Sequence, residues 1–447
     1  MADGKADFVP VVFGADTLGY SYAREFASVY GVQTRVVAPL DIKYTSSSRF
    51  TDYAVIPSID SEEGIVGWLR EHAGSFGGKT PVAIGGASDA HARTLSRNRP
   101  ELERLGYAVP YASFGVLDRV IQKDRFYGIC ERLGMPHPKT WLLPVNGADE
   151  RFACDDNATL ERIDDAGFES LDYPVIAKPS NSAAWHYADL RDRHKVYVVE
   201  SAERMREVAR DVRDSGYDRY LVIQEMLDDS DDALFSLTLF CEGVAPAAGT
   251  GAGAGVGARE GAAAGARGEG TSPVPLRVSG HVLVQDRSAT GIGNPLVILG
   301  ESHPELLDAA ERFLVATGYE GFANFDVMRD AKTGELKFLE VNARPGRNTY
   351  YVSLAGCSFV RPIVEHFVHR RPLAEALGDA LRTSDDFMFS MLPPAVVRKE
   401  VAGRPELDRA LEMIASGKAG NPLMNPADCL RQRFWALVNY EHMRTKF

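Results

Sequence analysis

Residues 319–347, YEGFANFDVMRDAKTGELKFLEVNARPGR, constrain the fold of this chain more than any other stretch. Two short runs, Ala323–Met328 and Leu336–Asn342, flank the polar segment Asp330–Glu335 with its glycine at 334. That is the pattern of an antiparallel hairpin. A turn centred near Thr333 sets Asp326 opposite Glu340 and Asn324 opposite Asn342, and the two-residue side-chain period gathers all four on one face. Phe325, Val327, Leu339 and Val341 are then expected to point the other way, into a core. Opposed carboxylates stand about 5 Å apart at Cβ and repel each other. A cation between them removes that cost. Mg²⁺ takes oxygen ligands, binds through one or two carboxylates and completes its shell with phosphates. Arg344 and Arg347 follow at once and can hold phosphate or carboxylate in bidentate geometry. Taken alone, the same pair of acids is also compatible with a solvated hairpin face paired to nearby lysines.

The length of 447 residues predicts two or three domains with ample core. A net charge of −12 argues against non-specific nucleic-acid binding but leaves room for local basic clefts. No apolar run approaches the length of a membrane span, and the N-terminal MADGKADFVPVVFG lacks the pattern of a signal peptide. The five cysteines are scattered without any CxxC, which points to reduced thiols and a cytoplasmic location.

The first part of the chain alternates strand and helix. Phe8–Phe13, Thr34–Ala38, Pro81–Ile84 and Ala108–Tyr111 read as strands, and a helix is expected over Tyr20–Tyr30. This rhythm predicts a doubly wound parallel sheet. From Arg119 the order changes. Arg119–Leu133 reads as one helix, followed by strands at Thr140–Leu143, Pro174–Lys178, Val196–Val199 and Leu221–Gln224, with a helix over Ala202–Ser215. Leu234–Phe240 and His281–Gln285 read as an antiparallel couple, so this part is expected to be α+β. The segment Val244–Ser272 is mostly Gly and Ala without apolar pattern, and is expected to be a disordered insertion. The end, LRQRFWALVNYEHMRTKF, reads as a docked C-terminal helix.

Two lysines add to the hairpin. Lys178 ends the apolar strand YPVIAK and enters PSNSAAW, a loop of small residues whose N–H groups and Ser180 and Ser182 hydroxyls can cover phosphates. Lys123 lies in VIQKDRFY. LVIQEML reads as a strand becoming a linker: its backbone can bond an adenine edge, and Glu225 or Asp232 a ribose hydroxyl; an acidic loop used for solubility is the equal alternative. GADTLG after the first strand lacks the middle glycine of GxGxxG, so it is weak evidence for a dinucleotide site. It can equally receive a substrate carboxylate or amine, as can Gly85–Asp89. There is no HExxH, GxSxG or Walker A lysine motif.

In this order, Lys123, Lys178 with its loop, QEML, Asp326 and ELKFLEVNAR resemble the ATP-grasp carboxylate–amine ligases over roughly residues 120–357. Within that family the segments FVPVVFGADTLGYSYAREF, KDRFYGICERLGMPHPKTW, YPVIAKPSNS, GFANFDVMRD and LEVNARPGRNTYYVSLAG are similar to the ligases that add D-aspartate in peptidoglycan cross-bridge synthesis. The resemblance implies an N-terminal α/β domain over 1–118 and an ATP-grasp domain over 119–370. The latter has lobes of about 119–222 and 223–370, the insertion at 244–272, and antiparallel sheets. A helical extension over 371–447 completes the chain. It implies that Lys123 and Lys178 meet ATP phosphates, with Ser180 and Ser182 in the loop above them. Gln224, Glu225, Met226, Leu227 and Asp232 would serve the nucleoside. Asp326, Glu340 and Asn342 would hold Mg²⁺, with two ions expected and Mn²⁺ as a substitute. Arg344, with Lys178, would steady the transferred phosphoryl, and Arg347 a substrate carboxylate. The implied partners are ATP, an amino-acid donor and a nucleotide-linked peptidoglycan precursor. Different readings are an ATP-grasp ligase for another amino acid or peptide, an NAD(P)-dependent oxidoreductase resting on the first βαβ unit, and a non-catalytic nucleotide-binding module.

Overall fold

The computed structural model describes residues 6–190, 193–227, 230, 233–243, 272–288 and 293–447. Three sheets organise them. The first contains β1 (Phe8–Phe13), β2 (Thr34–Ala38), β3 (Thr51–Val55) and β4 (Thr80–Gly85) in the order β3-β2-β1-β4, all parallel. Its central strands are apolar along their length because both faces are covered. Val11 and Phe13 pack with Ile65, Leu69 and Leu95 of two helices on one face. Phe8 and Val12 pack with Leu18, Tyr22 and Phe26 of the helix Thr17–Tyr30 on the other. Asp16 caps that helix, its carboxylate accepting from the N–H groups of Leu18 at 3.1 Å and Gly19 at 3.2 Å. Gly19 lies against the preceding turn, since a Cβ there would sit 2.4 Å from the Gly14 carbonyl oxygen. The glycines of GADTLG thus serve a tight strand-to-helix turn.

The second sheet has the order β6-β5-β9-β7-β8, built from β5 (Thr140–Pro144), β6 (Glu161–Arg162), β7 (Val175–Pro179), β8 (Tyr197–Val199) and β9 (Tyr220–Glu225). The helix Ala202–Asp214 covers it with Met205, Val208, Ala209 and Val212, a spacing of three and four that makes one apolar stripe. The third sheet has the order β14-β13-β10-β11-β12-β15-β16. Its strands are β10 (Leu234–Glu242), β11 (Leu276–Gln285), β12 (Pro295–Gly300), β13 (Glu320–Arg329), β14 (Leu336–Asn342), β15 (Met388–Ser390) and β16 (Ala419–Gly420).

Four expectations change. Ala108–Tyr111 is no strand: it makes only bridges from Ala108 to Val82 and from Tyr111 to Gly321, and Pro110 between them has no N–H to give a ladder. The fourth strand of the first sheet is instead the edge segment Thr51–Val55. The single helix expected over Arg119–Leu133 is two, Phe114–Ile121 and Lys123–Leu133, separated by Gln122 with extended backbone (φ −77°, ψ 122°). The segment after residue 370, expected as a helical extension, contributes β15 and β16 to the third sheet.

The Gly/Ala-rich insertion lies outside the described residues except for Ser272. The strands on either side of it, β10 and β11, are antiparallel neighbours, and Glu242 N–H donates to the Pro273 carbonyl at 2.9 Å. The chain returns to its point of departure, so a short turn can close the gap. Replacing residues 244–271 by a Gly/Ser turn is expected to leave melting temperature and turnover close to those of the parent. A drop in turnover beyond about tenfold would give the segment a role that closure alone does not require.

Candidate active site

The hairpin forms with the expected register on its acidic face. Asn324 pairs with Asn342, Phe325 with Val341 and Asp326 with Glu340. Beyond Asp326 the register shifts, and Val327 pairs with Phe338, which leaves Leu339 as the extra residue of a β-bulge. Phe338 therefore takes the fully buried core position that the uninterrupted alternation assigned to Leu339. Phe325, Val327 and Val341 are buried as expected.

Below the acids lies a hydrogen-bonded chain drawn from other elements. Asp326 accepts from the side-chain amides of Asn324 at 3.2 Å and Asn342 at 3.0 Å. The oxygen of Asn324 accepts from Ser236 at 3.2 Å and Thr238 at 2.8 Å, both on β10. Tyr351 donates to Thr238 at 2.7 Å, and Asn348 to Ser236 at 3.3 Å. Burial, and then the Glu340 carboxylate, push the Asp326 carboxyl above its ordinary value, while the Lys123 ammonium holds Glu340 below the usual range. Two facing carboxylates disfavour each other's ionisation, and the one beside Lys123 is the one kept charged.

Lys123 reaches the acids, and Lys178 is held nearby on Tyr127. Lys123 opens its helix, gives its N–H to the Ser180 carbonyl at 3.0 Å and its ammonium to Glu340 at 3.0 Å. Burial pulls Lys123 down and Glu340 more than offsets it, so the lysine stays charged. Lys178, only 6% exposed, donates to the Tyr127 hydroxyl at 2.9 Å. Tyr127 in turn donates to the carbonyl of Leu339 in the bulge. Burial, with the neighbouring Lys123 charge, brings Lys178 down to about 7. Ser180 is buried beside Lys178, whereas Ser182 is exposed at the first position of the helix Ser182–His186, capped by Asn181.

The strand β9 ends next to this group. Gln224 is fully buried, gives its amide N–H to Thr140 at 2.7 Å, and keeps an amide oxygen that accepts from no group among the described residues. Glu225 is engaged by the Lys139 N–H at 2.8 Å and by Lys337 at 2.7 Å, and Lys337 also reaches Asp330 at 2.7 Å. Met226 and Leu227 are half-buried at the exit, and Asp232 lies outside the described residues. Arg344 meets Asp89 at 2.6 Å, and Arg347 meets Asp16 at 3.1 Å, both acids standing at the N-terminal ends of helices that follow strands of the first sheet. Tyr127, Ser236, Thr238, Lys337, Asn348 and Tyr351 carry this arrangement without having been singled out in the sequence.

No family model matches the chain. A curated relative, D-aspartate ligase of Enterococcus faecium (strain Aus0004), is 24% identical over 439 residues, 97% of this chain and 94% of that protein. The L-amino acid ligase of Bacillus licheniformis superposes with a TM-score of 0.50 at 15% identity, covering 81% of this chain and 75% of its own. The biotin carboxylase domain of Hydrogenobacter thermophilus 2-oxoglutarate carboxylase, solved with MgADP and bicarbonate, gives 0.51 at 14% identity over 81% and 70%. The chain has the ATP-grasp fold. The resemblance drawn from its motifs extends along nearly its whole length, and the protein is an ATP-dependent ligase.

The residues present fit what an ATP-grasp site requires. The free acceptor on Gln224 is a buried polar atom suited to an exocyclic amine, and such an atom carries a cost until it is paired. Asp326, Glu340 and Asn342 offer oxygen donors suited to Mg²⁺. Among the described residues no group of three or more His, Cys, Asp or Glu gathers to hold a metal. Mg²⁺ held there would complete its shell with phosphate oxygens and water.

Proposed function

We propose that the protein joins the β-carboxylate of D-aspartate to the side-chain amine of the diamino acid in a nucleotide-linked peptidoglycan precursor, converting ATP to ADP and phosphate. The observation that carries this reading is the facing pair Asp326 and Glu340 with Lys123 and Lys178 beside it, in a chain similar throughout to a D-aspartate ligase. An amide does not form from carboxylate and amine in water without activation. Transfer of the γ-phosphoryl to the donor carboxylate gives an acyl phosphate; the amine attacks its carbonyl carbon, the C–O bond to phosphate breaks, and the amine loses a proton.

Lys123 and Lys178 hold the phosphates, and Arg344 neutralises charge on the transferring group. Mg²⁺ bound by Asp326, Glu340 and Asn342 supplies further charge neutralisation at the phosphoryl oxygens. Arg347 holds the second carboxylate of the donor. Gln224 and the backbone of 225–227 receive adenine, and Glu225 or Asp232 the ribose. No helix among the described residues is long and apolar enough to cross a membrane. A cytoplasmic location supplies both ATP and a nucleotide-linked acceptor.

The test is ADP release with Mg·ATP, the precursor, and either D- or L-aspartate, with the product mass measured. Release with D-aspartate alone, and one aspartyl residue gained, is the expected outcome. ADP release with neither, despite tight ATP binding, would overturn the donor and keep the ligase.

A further inference from the structure

A second cleft lies away from the acidic hairpin. It encloses about 520 Å³ and is lined by the C-terminal half of the helix Thr17–Tyr30, the residues before β3, the segment 350–361 and residues near Asn425. Three arginines face it: Arg24, Arg49 and Arg361. Among the described residues none of the three has a carboxylate partner. Elsewhere in the chain the half-buried Arg99 is paired twice over, to Glu103 and Glu320.

Two of the three are held by contacts that carry no charge. Arg24 donates to the carbonyls of Asn421 at 3.3 Å and Pro422 at 2.8 Å, and its guanidinium lies 4.5 Å over the Tyr350 ring. Those contacts fix it without neutralising it. Asp428, next in sequence to Ala427 of the lining, accepts from Tyr20 at 2.9 Å, Ser48 at 2.5 Å and the Arg49 N–H at 3.0 Å, and the Arg49 guanidinium lies over the Phe50 ring. Glu25 is the one acid in the lining. Its carboxylate oxygen accepts from Ser353 at 2.7 Å and Ser358 at 2.6 Å. The lining keeps an excess of two positive charges from three arginines and one glutamate. A cleft with preset, uncompensated guanidinium groups is built for a phosphate-bearing ligand.

Its position says which ligand. The helix that carries Arg24 starts at Asp16, whose carboxylate touches Arg347, and Tyr350 of the cleft is three residues beyond Arg347. Eight residues separate Asp16 from Arg24, about 12 Å at the helical rise of ~1.5 Å per residue. That span matches three to four residues of extended peptide, at about 3.3–3.6 Å each. We propose that this cleft docks the diphosphate of the nucleotide-linked acceptor while its peptide reaches the acidic hairpin. The proposal rests on the acceptor named above, and a free phosphate-bearing effector would use the same chemistry.

The test separates these cases. Uridine diphosphate and inorganic pyrophosphate are titrated into the full-length protein with the ATP site already filled by Mg·ADP, for the parent and for the Arg49→Gln/Arg361→Gln double variant. Binding in the parent, weakened at least about tenfold in the variant, is expected for loss of charge-assisted contacts. ADP binding serves as the fold control. Uridine diphosphate is also expected to compete with the precursor in turnover and not with ATP. Absence of binding, or binding indifferent to the two arginines, overturns the phosphate site. Arginine-dependent binding without competition against the precursor overturns the acceptor assignment and makes the ligand an effector. Failure of the ligase reading shows separately, as no turnover with any donor while arginine-dependent binding persists.

Discussion

Replacing Glu340 by glutamine is expected to abolish turnover in a protein that remains folded. The residue faces Asp326 across the hairpin and accepts from Lys123. Glutamine keeps its shape and removes the charge that Lys123 meets and that Mg²⁺ would share in the proposed reading. A loss of ~4 kcal/mol of transition-state stabilisation corresponds to about a thousandfold in rate. The fold should tolerate it, because the substitution also removes repulsion on Asp326, whose carboxyl is pushed up partly by that neighbour. Single-turnover ADP formation and a melting curve check both halves. Normal activity at ordinary Mg²⁺ would show that the hairpin acids do not bind the metal.

The second large effect concerns Lys178. Burial brings its ammonium down to about 7, so above that pH the free enzyme holds it mostly neutral. Phosphate oxygens arriving beside it favour the charged form and draw a proton in. The sign follows: below about pH 7 the lysine is charged both before and after ATP binds, and no proton is taken up. Between about 7 and the ordinary lysine value, binding consumes up to one proton, and affinity for Mg·ATP falls as pH rises. Calorimetry in two buffers of different ionisation enthalpy measures that proton. The Lys178→Met variant is expected to lose the linkage and about a hundredfold or more in kcat/KM. An unchanged proton uptake in the variant would place the linkage on another group.

Much of this site was legible in the residues. The hairpin and its acidic face could be read from the two flanking runs and the polar turn, and the pairing of Asp326 with Glu340 came out as read. The bulge at Leu339 could not, since nothing local distinguishes Leu339 from Phe338 as the core residue. The break at Gln122 was hidden because both halves of VLDRVIQKDRFY carry helical spacing, and the Ser180 carbonyl that receives the Lys123 N–H lies far along the chain. Thr51–Val55 has the weak apolar signal of a half-exposed edge strand. Ser236, Thr238 and Tyr351 look like ordinary strand and helix residues until β10 is laid beside β13. Contacts set by tertiary neighbours leave no mark on local pattern.

The bulge has a bearing on how this enzyme can vary among its relatives. Tyr127 orients Lys178 through the carbonyl of residue 339, and every amino acid supplies a carbonyl. The side chain at 339 is therefore free to drift while the tether persists. The constraint falls on hairpin length, where a one-residue insertion or deletion would move the carbonyl and the acids together. An aligned column at this position would look permissive, although the lysine depends on its backbone.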